Sequence, residues 1–263
     1  MSNFAPDNDP VFTGNTDLSQ QTALITGASS GLGWRFALTL AQAGARVAIL
    51  GRRADRLQKL RAEIESRGGQ ALVLVADLAN PEQHQQLVNR AIEEMGSISI
   101  LVNNAGIVEP ALATKASLDN FDQSMNINLR APYFFSCGVA NHLIANQQPG
   151  RIVNIASIAA KYYPDHGVSL YAISKAAVVR MTEVLATEWA RYRINVNAIS
   201  PGYFASEMTS GAKDRKGAFW EQFPRKRIAA PALLDSTLLY LCAPESEAVT
   251  GANIVVDDGQ LQR

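Results

Sequence analysis

The chain has 263 residues, of which 47% are apolar, and this length and composition suit one large domain with a continuous core. Lysine and arginine together number 24, as do aspartate and glutamate, so the charge balance favours neither nucleic acid nor an anionic membrane as a partner. No apolar run is long enough to span a bilayer, and the cysteines and histidines show no metal-binding spacing, so we expect a cytoplasmic protein without a metal site.

The start of the chain is polar, contains proline and asparagine, and lacks the apolar segment of a secretory signal. We therefore expect a flexible N-terminal arm over residues 1–18 and a single domain over residues 19–263. Short apolar runs in that domain predict strands at residues 23–25, 47–50, 71–75, 98–102, 151–155, 194–199 and 253–256.

Helical patterns separate these strands. They cover residues 34–44, 55–66, 81–95, 117–145, 170–192 and 231–241. The alternation predicts an α/β fold, a single Rossmann-type, doubly wound domain with a seven-stranded parallel sheet flanked by helices. In such a fold, ligands bind at the carboxyl ends of the strands. Residues 203–228 contain no predicted strand, and a segment of this length predicts a lid.

The turn after the first strand contains Gly27, Gly31 and Gly33 in the order G-x-x-x-G-x-G. Gly27 can turn the chain tightly out of the strand. Gly31 and Gly33 allow the backbone to approach a ligand or a neighbouring strand where a Cβ would clash. The helix that follows begins with unpaired N–H groups, which suit a pyrophosphate. The pattern indicates a dinucleotide-binding turn, although a tight turn without a ligand has the same features.

Further polar groups follow predicted strands along the chain. The motif N-N-A-G at residues 103–106 follows the fourth strand, and Ser157 follows the fifth. Tyr171 and Lys175 are four residues apart and share a face of the next helix. A lysine ammonium beside a phenol lowers the pKa of the phenol and so suits acid–base catalysis. Taken singly, these features are also typical of a turn, a helix cap and an exposed Tyr–Lys pair.

In this order, the motifs resemble those of the short-chain dehydrogenase/reductase family. They are T-G-x-x-x-G-x-G from Thr26 to Gly33, N-N-A-G at residues 103–106, Ser157, Y-x-x-x-K, and P-G at Pro201 and Gly202. The resemblance covers roughly residues 19–259 and implies an enzyme that transfers a hydride between NAD(P) and a carbonyl or alcohol. The alternative from another class is an NADP-binding regulator without catalysis, and such proteins typically lack the tyrosine or the lysine.

The resemblance implies four catalytic residues. Tyr171 acts as the acid in reduction and as the base in oxidation, and Lys175 binds the nicotinamide ribose and lowers the pKa of Tyr171. Ser157 hydrogen-bonds the substrate oxygen. Asn128 holds a water that leads to Lys175, unless it is a buried asparagine that bonds only to backbone. Ser157 and Tyr171 are one residue further apart than is commonest in the family, which predicts a bulge between them.

The end of the second strand indicates the cofactor. Gly51 stands where members that prefer NAD place an aspartate, and Arg52 and Arg53 offer guanidinium groups to a 2′-phosphate, Arg52 more directly. NADP is therefore favoured over NAD, unless both arginines only face solvent. The predicted cofactor-binding residues are Gly27, Ser29, Ser30, Gly31, Leu32, Gly33, Arg52, Arg53, Asp77, Leu78, Asn104, Ala105, Gly106, Tyr171, Lys175, Pro201, Gly202 and Ser206.

The substrate is predicted to contact Ser157, Tyr163, Tyr171 and Tyr203. The lid has more cations than anions, which suits an anionic substrate unless these charges only keep the lid solvated. The charged residues are Lys213, Arg215, Lys216, Arg225, Lys226 and Arg227, with Glu207, Asp214 and Glu221. We expect reduction of a 3-oxoacyl thioester or a related ketone, and the alternative is oxidation of a sugar acid or polyol of the gluconate type.

Two further expectations concern assembly and the C-terminus. The predicted helices 117–145 and 170–192 carry more apolar residues than one sheet face needs. Because relatives in the family pair such helices, we expect a homotetramer, with a dimer as the alternative. Asp258 stands where the family usually has a glycine. The sequence alone predicts no role for this aspartate.

Overall fold

An all-parallel sheet forms the centre of the molecule, in a computed structural model that describes residues 16–163, 167–210 and 218–261. Its strands are β1 (Thr22–Thr26), β2 (Arg46–Gly51), β3 (Ala71–Val75), β4 (Ile100–Asn103), β5 (Gly150–Ile155), β6 (Ile194–Pro201) and β7 (Asn253–Val256). Their order across the sheet is β3-β2-β1-β4-β5-β6-β7. The predicted doubly wound fold with seven parallel strands is confirmed.

Helices cover both faces of the sheet. They are α1 (Gly31–Gln42), α2 (Ala54–Ser66), α3 (His84–Met95), α4 (Leu118–Met125), α5 (Ala131–Ala145), α6 (Ser169–Trp189) and α7 (Asp235–Cys242). Phe36 of α1 and Leu238 of α7 belong to the core on one face, whereas Phe135 of α5 and Leu185 of α6 belong to the core on the other. Strands covered on both faces need apolar side chains throughout, which is why the strands appear in the sequence as continuous apolar runs.

Three predicted helices differ from the observed ones at their N-terminal ends. The first begins at Gly31, so the glycine turn leads directly into α1. The predicted helices at 81–95 and 231–241 each begin with a 3-10 turn, Pro81–Gln83 and Pro231–Leu234. Both turns start with proline, which lacks an N–H and is therefore suited to the first turn of a helix.

The predicted helix at 117–145 is divided by a π-helical turn, Asn126–Arg130. Ala131 donates its N–H to the carbonyl of Asn126, five residues back. Pro132 has no N–H to donate to the carbonyl of Asn128, which removes one α-helical bond at this point. Asn128 consequently lies in a widened turn between α4 and α5.

The direction of the connections changes between β1 and β4. The chain leaves β1 for β2 and then β3 at one edge of the sheet, and it returns to β4 on the other side of β1. A crevice opens at such a switch point, outside the carboxyl ends of the strands. The glycine turn after β1 and the N-N-A-G motif after β4 both lie there.

Some sequence predictions fall at the limits of the described chain. Residues 1–15 of the predicted arm lie outside it, whereas Leu18 is fully buried in the core. Residues 164–166, which are part of the stretch between Ser157 and Tyr171 where a bulge is predicted, also lie outside it. In the described parts of the lid, 203–210 and 218–228, the strand pairing is limited to a single bridge from Phe204 to Ala229. Among the described helices, none has both the length and the apolar character that a bilayer span requires.

Candidate active site

The glycine turn brings β1, α1 and the loop after β4 into close contact. Gly27 has a φ of +69°, which favours glycine, and a Cβ there would lie 2.8 Å from Cα of Ala105. A Cβ on Gly33 would lie 2.4 Å from both the carbonyl oxygen of Gly27 and Nδ2 of Asn104. Gly33 is predicted to bind the cofactor, but it does not line the cavity. Its role is to let α1 pack against the turn.

Thr26 and Asn104 fix the loop that follows β4. The Thr26 hydroxyl accepts hydrogen bonds from the N–H groups of Asn104, at 3.0 Å, and Ala105, at 3.1 Å. In return, Nδ2 of Asn104 donates to the carbonyl oxygens of Thr26 and Gly27. These reciprocal bonds hold the glycine turn after β1 and the loop after β4 together.

A cavity of about 550 Å³ follows the carboxyl ends of the strands. All predicted cofactor-binding residues except Gly33 line it. The first residues of α1 face it, and no side chain caps this helix at Ser30, so its first N–H groups are available to an anion. The glycine turn therefore has the form of a phosphate-binding helix start.

The two arginines after β2 have different surroundings. Arg53 donates to Oγ and the carbonyl oxygen of Ser29 and, at 2.7 Å, to the carboxylate of Glu207. Arg52 is 61% exposed, and its contact with the carboxylate of Asp77 is long, at 3.9 Å. Arg53 is thus held by several acceptors, whereas the guanidinium of Arg52 keeps donors available at the rim of the cavity.

Ser157, Tyr171 and Lys175 meet at the other end of the cavity. Ser157 follows β5, while Tyr171 and Lys175 project from the start of α6. A hydrogen bond links Ser157 to Tyr171, and Nζ of Lys175 lies 5.8 Å from the centre of the Tyr171 ring. The lysine donates a 2.7 Å hydrogen bond to the carbonyl oxygen of Ile155.

Burial dominates the proton affinities of this group. Burial raises the pKa of Tyr171, and the hydrogen bond with Ser157 lowers it by less. Burial also lowers the pKa of Lys175 to about 8. The Tyr171 shift is opposite to the one expected from the lysine charge, because a low-dielectric environment penalises phenolate and ammonium alike. Tyr171 is accordingly a protonated acid at neutral pH.

Asn128 is fully buried in the π-helical turn. Its Nδ2 donates to the carbonyl oxygen of Ile107, at 3.0 Å, and to the Ser174 hydroxyl, while Oδ1 accepts from the N–H of Ile107. A Cβ on Gly106 would lie 3.4 Å from both Oδ1 of Asn128 and Nζ of Lys175. The asparagine therefore anchors the loop that lies against the lysine, and its predicted water remains a prediction.

Tyr163 and Tyr203, both predicted to bind substrate, do not line the cavity. Tyr163 is 53% exposed, and its hydroxyl accepts a hydrogen bond from the N–H of Gly167. Tyr203 packs its ring against Phe219 and Phe223, with ring centres 5.0 and 5.5 Å apart. Burial raises the pKa of Tyr203, and the interaction with Tyr171 adds to this rise. Tyr203 lies between Gly202 and Phe204, which both line the cavity.

Three of the five described charged residues of the lid form ion pairs with residues outside it. Arg225 and Arg227 both bind the carboxylate of Asp258. Glu207 binds Arg53 and Arg56 of the segment after β2. These contacts attach the lid to the rest of the protein and leave fewer of its charges to attract an anionic substrate. Four further charged lid residues lie outside the described chain, namely Lys213, Asp214, Arg215 and Lys216.

Several lining residues belong to no sequence motif. They are Leu50, Ala76, Ile107, Ile127, Ile155, Ala156 and Thr209. Leu50 and Ile155 lie at the carboxyl ends of their strands, and Ala76 and Ala156 follow directly. Their position at a strand end is a usable signal, because every strand of a parallel sheet ends at the same edge. Thr209, in the lid, has no such signal.

The family model described as short chain dehydrogenase matches residues 21–217, which is more than half of the chain. The chain belongs to the short-chain dehydrogenase family. It is an oxidoreductase that uses NAD(P) to act on CH–OH groups, and the predicted hydride transfer between nicotinamide and a carbonyl or alcohol is confirmed at this level.

Two protein relatives of this short-chain dehydrogenase differ in substrate. The 2-dehydro-3-deoxy-D-gluconate 5-dehydrogenase of Dickeya dadantii (strain 3937) is 37% identical, over 94% of this chain and 98% of that protein. The 3-oxoacyl-[acyl-carrier-protein] reductase of Rickettsia bellii (strain RML369-C) is 34% identical, over 93% of this chain and 98% of that protein. Both substrate classes predicted from the sequence are thus represented among similar proteins.

Solved structures agree with the fold. A short-chain type dehydrogenase/reductase from Mycobacterium marinum superposes with a TM-score of 0.90 at 35% identity, covering 94% of this chain and 98% of that one. A blue fluorescent protein from a metagenomic library, in complex with NADPH, superposes with a TM-score of 0.86 at 32% identity, covering 94% and 100%.

The cavity of this short-chain dehydrogenase fits a nicotinamide dinucleotide. It extends from Arg52 past the uncapped start of α1 to Lys175. A Cβ on Gly31 would lie 3.1 Å from Cβ of Ser206, so a side chain at Gly31 would crowd the middle of this path. Guanidinium, helix N–H and ammonium donors in that order match the adenosine ribose, the pyrophosphate and the nicotinamide ribose of NAD(P).

Proposed function

We propose that this dehydrogenase prefers NADP and acts in the cell mainly as a carbonyl reductase. The observation that carries the proposal is the meeting of Ser157, Tyr171 and Lys175 at one end of a cavity whose other end carries Arg52 and Arg53. The bound nicotinamide supplies the hydride in reduction and takes it up in oxidation. All other steps belong to the side chains of the protein.

Ser157 and Tyr171 act on the substrate oxygen. The Ser157 hydroxyl hydrogen-bonds the carbonyl oxygen and stabilises the negative charge that develops on it, and Tyr171 gives its proton to the same atom. The raised pKa of Tyr171 keeps that proton on the phenol at neutral pH, which supports reduction as the main direction. Lys175, held by Ile155, binds the nicotinamide ribose and orients it, and Asn128 anchors the loop beside the lysine.

Arg52 is the proposed contact of the 2′-phosphate. Its guanidinium is half-exposed at the cavity rim and meets only the distant carboxylate of Asp77 in the described structure. Arg53 acts through Ser29, which it holds by three hydrogen bonds. No side chain at Gly51 competes for the space where an aspartate would favour NAD. The NADPH bound to a similar protein supports the same preference.

We place a keto-sugar acid first as the substrate. The Dickeya relative and a gluconate 5-dehydrogenase from Gluconobacter oxydans (strain 621H), 34% identical over 92% of this chain and 95% of that protein, both carry sugar-acid names. Among the lid cations, Arg225 and Arg227 bind Asp258, so the charge of these two residues favours neither anionic candidate over the other. A compact, hydroxylated acid needs no extended docking surface.

A 3-oxoacyl thioester is the second candidate. The rings of Tyr203, Phe219 and Phe223 form an apolar cluster next to Gly202 and Phe204, which line the cavity, and such a cluster suits an acyl chain. The 3-oxoacyl reductase from Rickettsia supports a thioester substrate, and it is 34% identical to this chain, as is the Gluconobacter dehydrogenase.

One experiment separates the candidates. The loss of NADPH absorbance is followed with 5-ketogluconate, related keto-sugar acids, acetoacetyl thioesters, and cyclic and aryl ketones. We expect the highest kcat/KM with a keto-sugar acid and a lower value with NADH in place of NADPH. A higher kcat/KM with acetoacetyl thioesters would establish the second candidate, and activity only with bulky neutral ketones would contradict both.

A homotetramer is the proposed assembly. Leu118 and Phe121 of α4, Phe134 of α5 and Ile173 of α6 expose large apolar side chains, and Leu118 is 84% exposed. Apolar residues clustered on neighbouring helices indicate an interface more often than free surface. Light scattering at micromolar concentration tests this, and a monomer mass would contradict it.

A further inference from the structure

The turn after β7 contains a buried carboxylate that binds the lid. Asp258 has a side chain only 7% exposed and accepts hydrogen bonds from Arg225, at 2.8 Å, and from Arg227, at 2.7 and 3.1 Å. These arginines hold the pKa of Asp258 below its ordinary value, Arg227 most strongly. A carboxylate that meets two guanidinium groups of one segment restrains that segment.

The backbone of Asp258 explains why a glycine would be the easier choice. Its φ is +54°, in the left-handed region that favours glycine. Aspartate tolerates this region better than most residues but at a conformational cost. Glycine would avoid that cost but has no carboxylate. The hydrogen bonds of the Asp258 carboxylate therefore offset the conformational cost of aspartate at this position.

Gln260 binds the opposite end of the lid. Its Oε1 accepts from the N–H of Tyr203 at 2.6 Å, and its Nε2 donates to the carbonyl oxygen of Tyr203 at 3.0 Å. Gly202 makes this approach possible, since a Cβ there would lie 2.4 Å from Oε1 of Gln260. The C-terminal turn therefore holds the lid where it begins and again near its end.

Between these two attachments lies the aromatic wall, which we define as Tyr203, Phe219 and Phe223. Each ring contacts the other two, with centres 5.0 to 5.7 Å apart. Tyr203 lies between Gly202 and Phe204, and both of these residues line the cavity that also contains Tyr171, so the wall stands next to that cavity. Whatever fixes the wall also fixes the segment that carries the lining residues Gly202 and Phe204.

We propose that Asp258 and Gln260 are positioning residues that hold the aromatic wall against the substrate and so set substrate selectivity. The inference rests on the proposed function, because it assumes that the substrate reaches Tyr171 past this wall. Neither residue lines the cavity of the described structure, and they act through Arg225, Arg227 and Tyr203.

The principal test is Asp258→Gly, which removes the carboxylate while suiting the positive φ. We expect the KM of the best substrate of the panel to rise by about tenfold, with a smaller change in kcat, because the wall no longer stays in position. The Kd of NADPH should stay within about twofold, as the cofactor contacts are elsewhere. Hydrogen exchange of the amides in residues 218–228 should become faster, while that of β1 stays unchanged.

Two variants serve as controls. Asp258→Asn keeps an acceptor and tolerates the left-handed conformation, so it should restore part of the affinity. Glu65→Gln removes an exposed ion pair with Arg61 on α2 and should change neither KM nor the exchange of residues 218–228. The double variant Arg225→Gln/Arg227→Gln tests the same contact from its exposed side and should reproduce the effect if Asp258→Gly does not fold.

The proposal is overturned if Asp258→Gly, or the arginine double variant in its place, leaves both KM and the exchange of residues 218–228 as in the wild type. It is also overturned if the exchange rises while the relative kcat/KM values of the panel do not change. If the wild-type protein reduces no compound of the panel, the proposed function fails. The exchange measurement then still decides whether Asp258 holds the lid.

Discussion

Nζ of Lys175 donates a 2.7 Å hydrogen bond to the main-chain oxygen of Ile155. Ile155 is the last residue of β5 and lies two positions before Ser157. The bond therefore ties the lysine of α6 to the strand that carries the serine. It also gives a buried ammonium, only 4% exposed, an acceptor that partly replaces water.

The burial of Lys175 predicts a pH-dependent cost in stability. Its pKa is about 8 in the folded protein against 10.5 in the unfolded chain, which corresponds to about 3 kcal/mol. The cost is complete below pH 8 and is relieved as the pH rises toward 10.5, because the unfolded chain binds the proton more tightly. We expect Lys175→Met to raise the free energy of unfolding near neutral pH by about 1–2 kcal/mol, after the loss of the bond to Ile155.

Urea unfolding of the cofactor-free protein measures this effect. The difference between Lys175→Met and the wild type should shrink from pH 7.5 to pH 10. A difference that stays constant over this range would show that the ammonium is solvated in the native state.

Tyr171→Phe tests the acid of the reaction. The variant keeps the ring but has no proton to give to the substrate oxygen, so we expect kcat to fall by about 10² to 10⁴. The affinity for NADPH, followed by fluorescence titration, should remain near that of the wild type. Tyr240→Phe changes an exposed tyrosine of α7 and is the matched control. Turnover near the wild-type rate in Tyr171→Phe would exclude this residue as the acid.

Substitutions of the two arginines after β2 should affect the affinities for NADPH and NADH differently. Arg52→Ser is expected to weaken NADPH binding by about tenfold or more with little effect on NADH, because it removes a charged hydrogen bond to the 2′-phosphate alone. Arg53→Ser should weaken both cofactors, because it releases Ser29 and Glu207. Titrations at one fixed salt concentration measure the four affinities. Equal losses for NADPH and NADH in Arg52→Ser would remove it from the phosphate site.

Gly33→Ala should destabilise the protein far more than Gly68→Ala. A Cβ at Gly33 meets the backbone oxygen of Gly27 at 2.4 Å, and backbone atoms cannot move aside cheaply, so we expect a loss of about 3 kcal/mol or more. Gly68 has open space around it, and only its φ of +84° resists alanine, at about 1 kcal/mol. Thermal unfolding compares the two variants. Similar melting temperatures would mean that α1 can shift away from the turn.

The features that depend on near neighbours in the chain could be predicted from the sequence. The alternation of apolar runs and helical patterns determines the doubly wound sheet, because parallel strands covered on both faces must be apolar throughout. The topology then brings every strand end to one edge, and so Ser157 and Tyr171 could be assigned to one site. The spacing of Tyr171 and Lys175 on one helix face needed no tertiary information.

Contacts between distant parts of the chain were decided only by the tertiary structure. Arg53 and Glu207 are 154 residues apart, and their pairing shows that a lid charge holds the cofactor segment. The sequence places Gly33 among the cofactor residues, and only the structure shows that it lies outside the cavity lining and that a Cβ there would clash with Gly27 and Asn104. The direction of the Tyr171 pKa shift was also set by burial and is opposite to the direction expected from the nearby lysine. Periodicity reports which face of an element is buried, whereas the partner of a charge and the polarity around a phenol depend on which elements pack together.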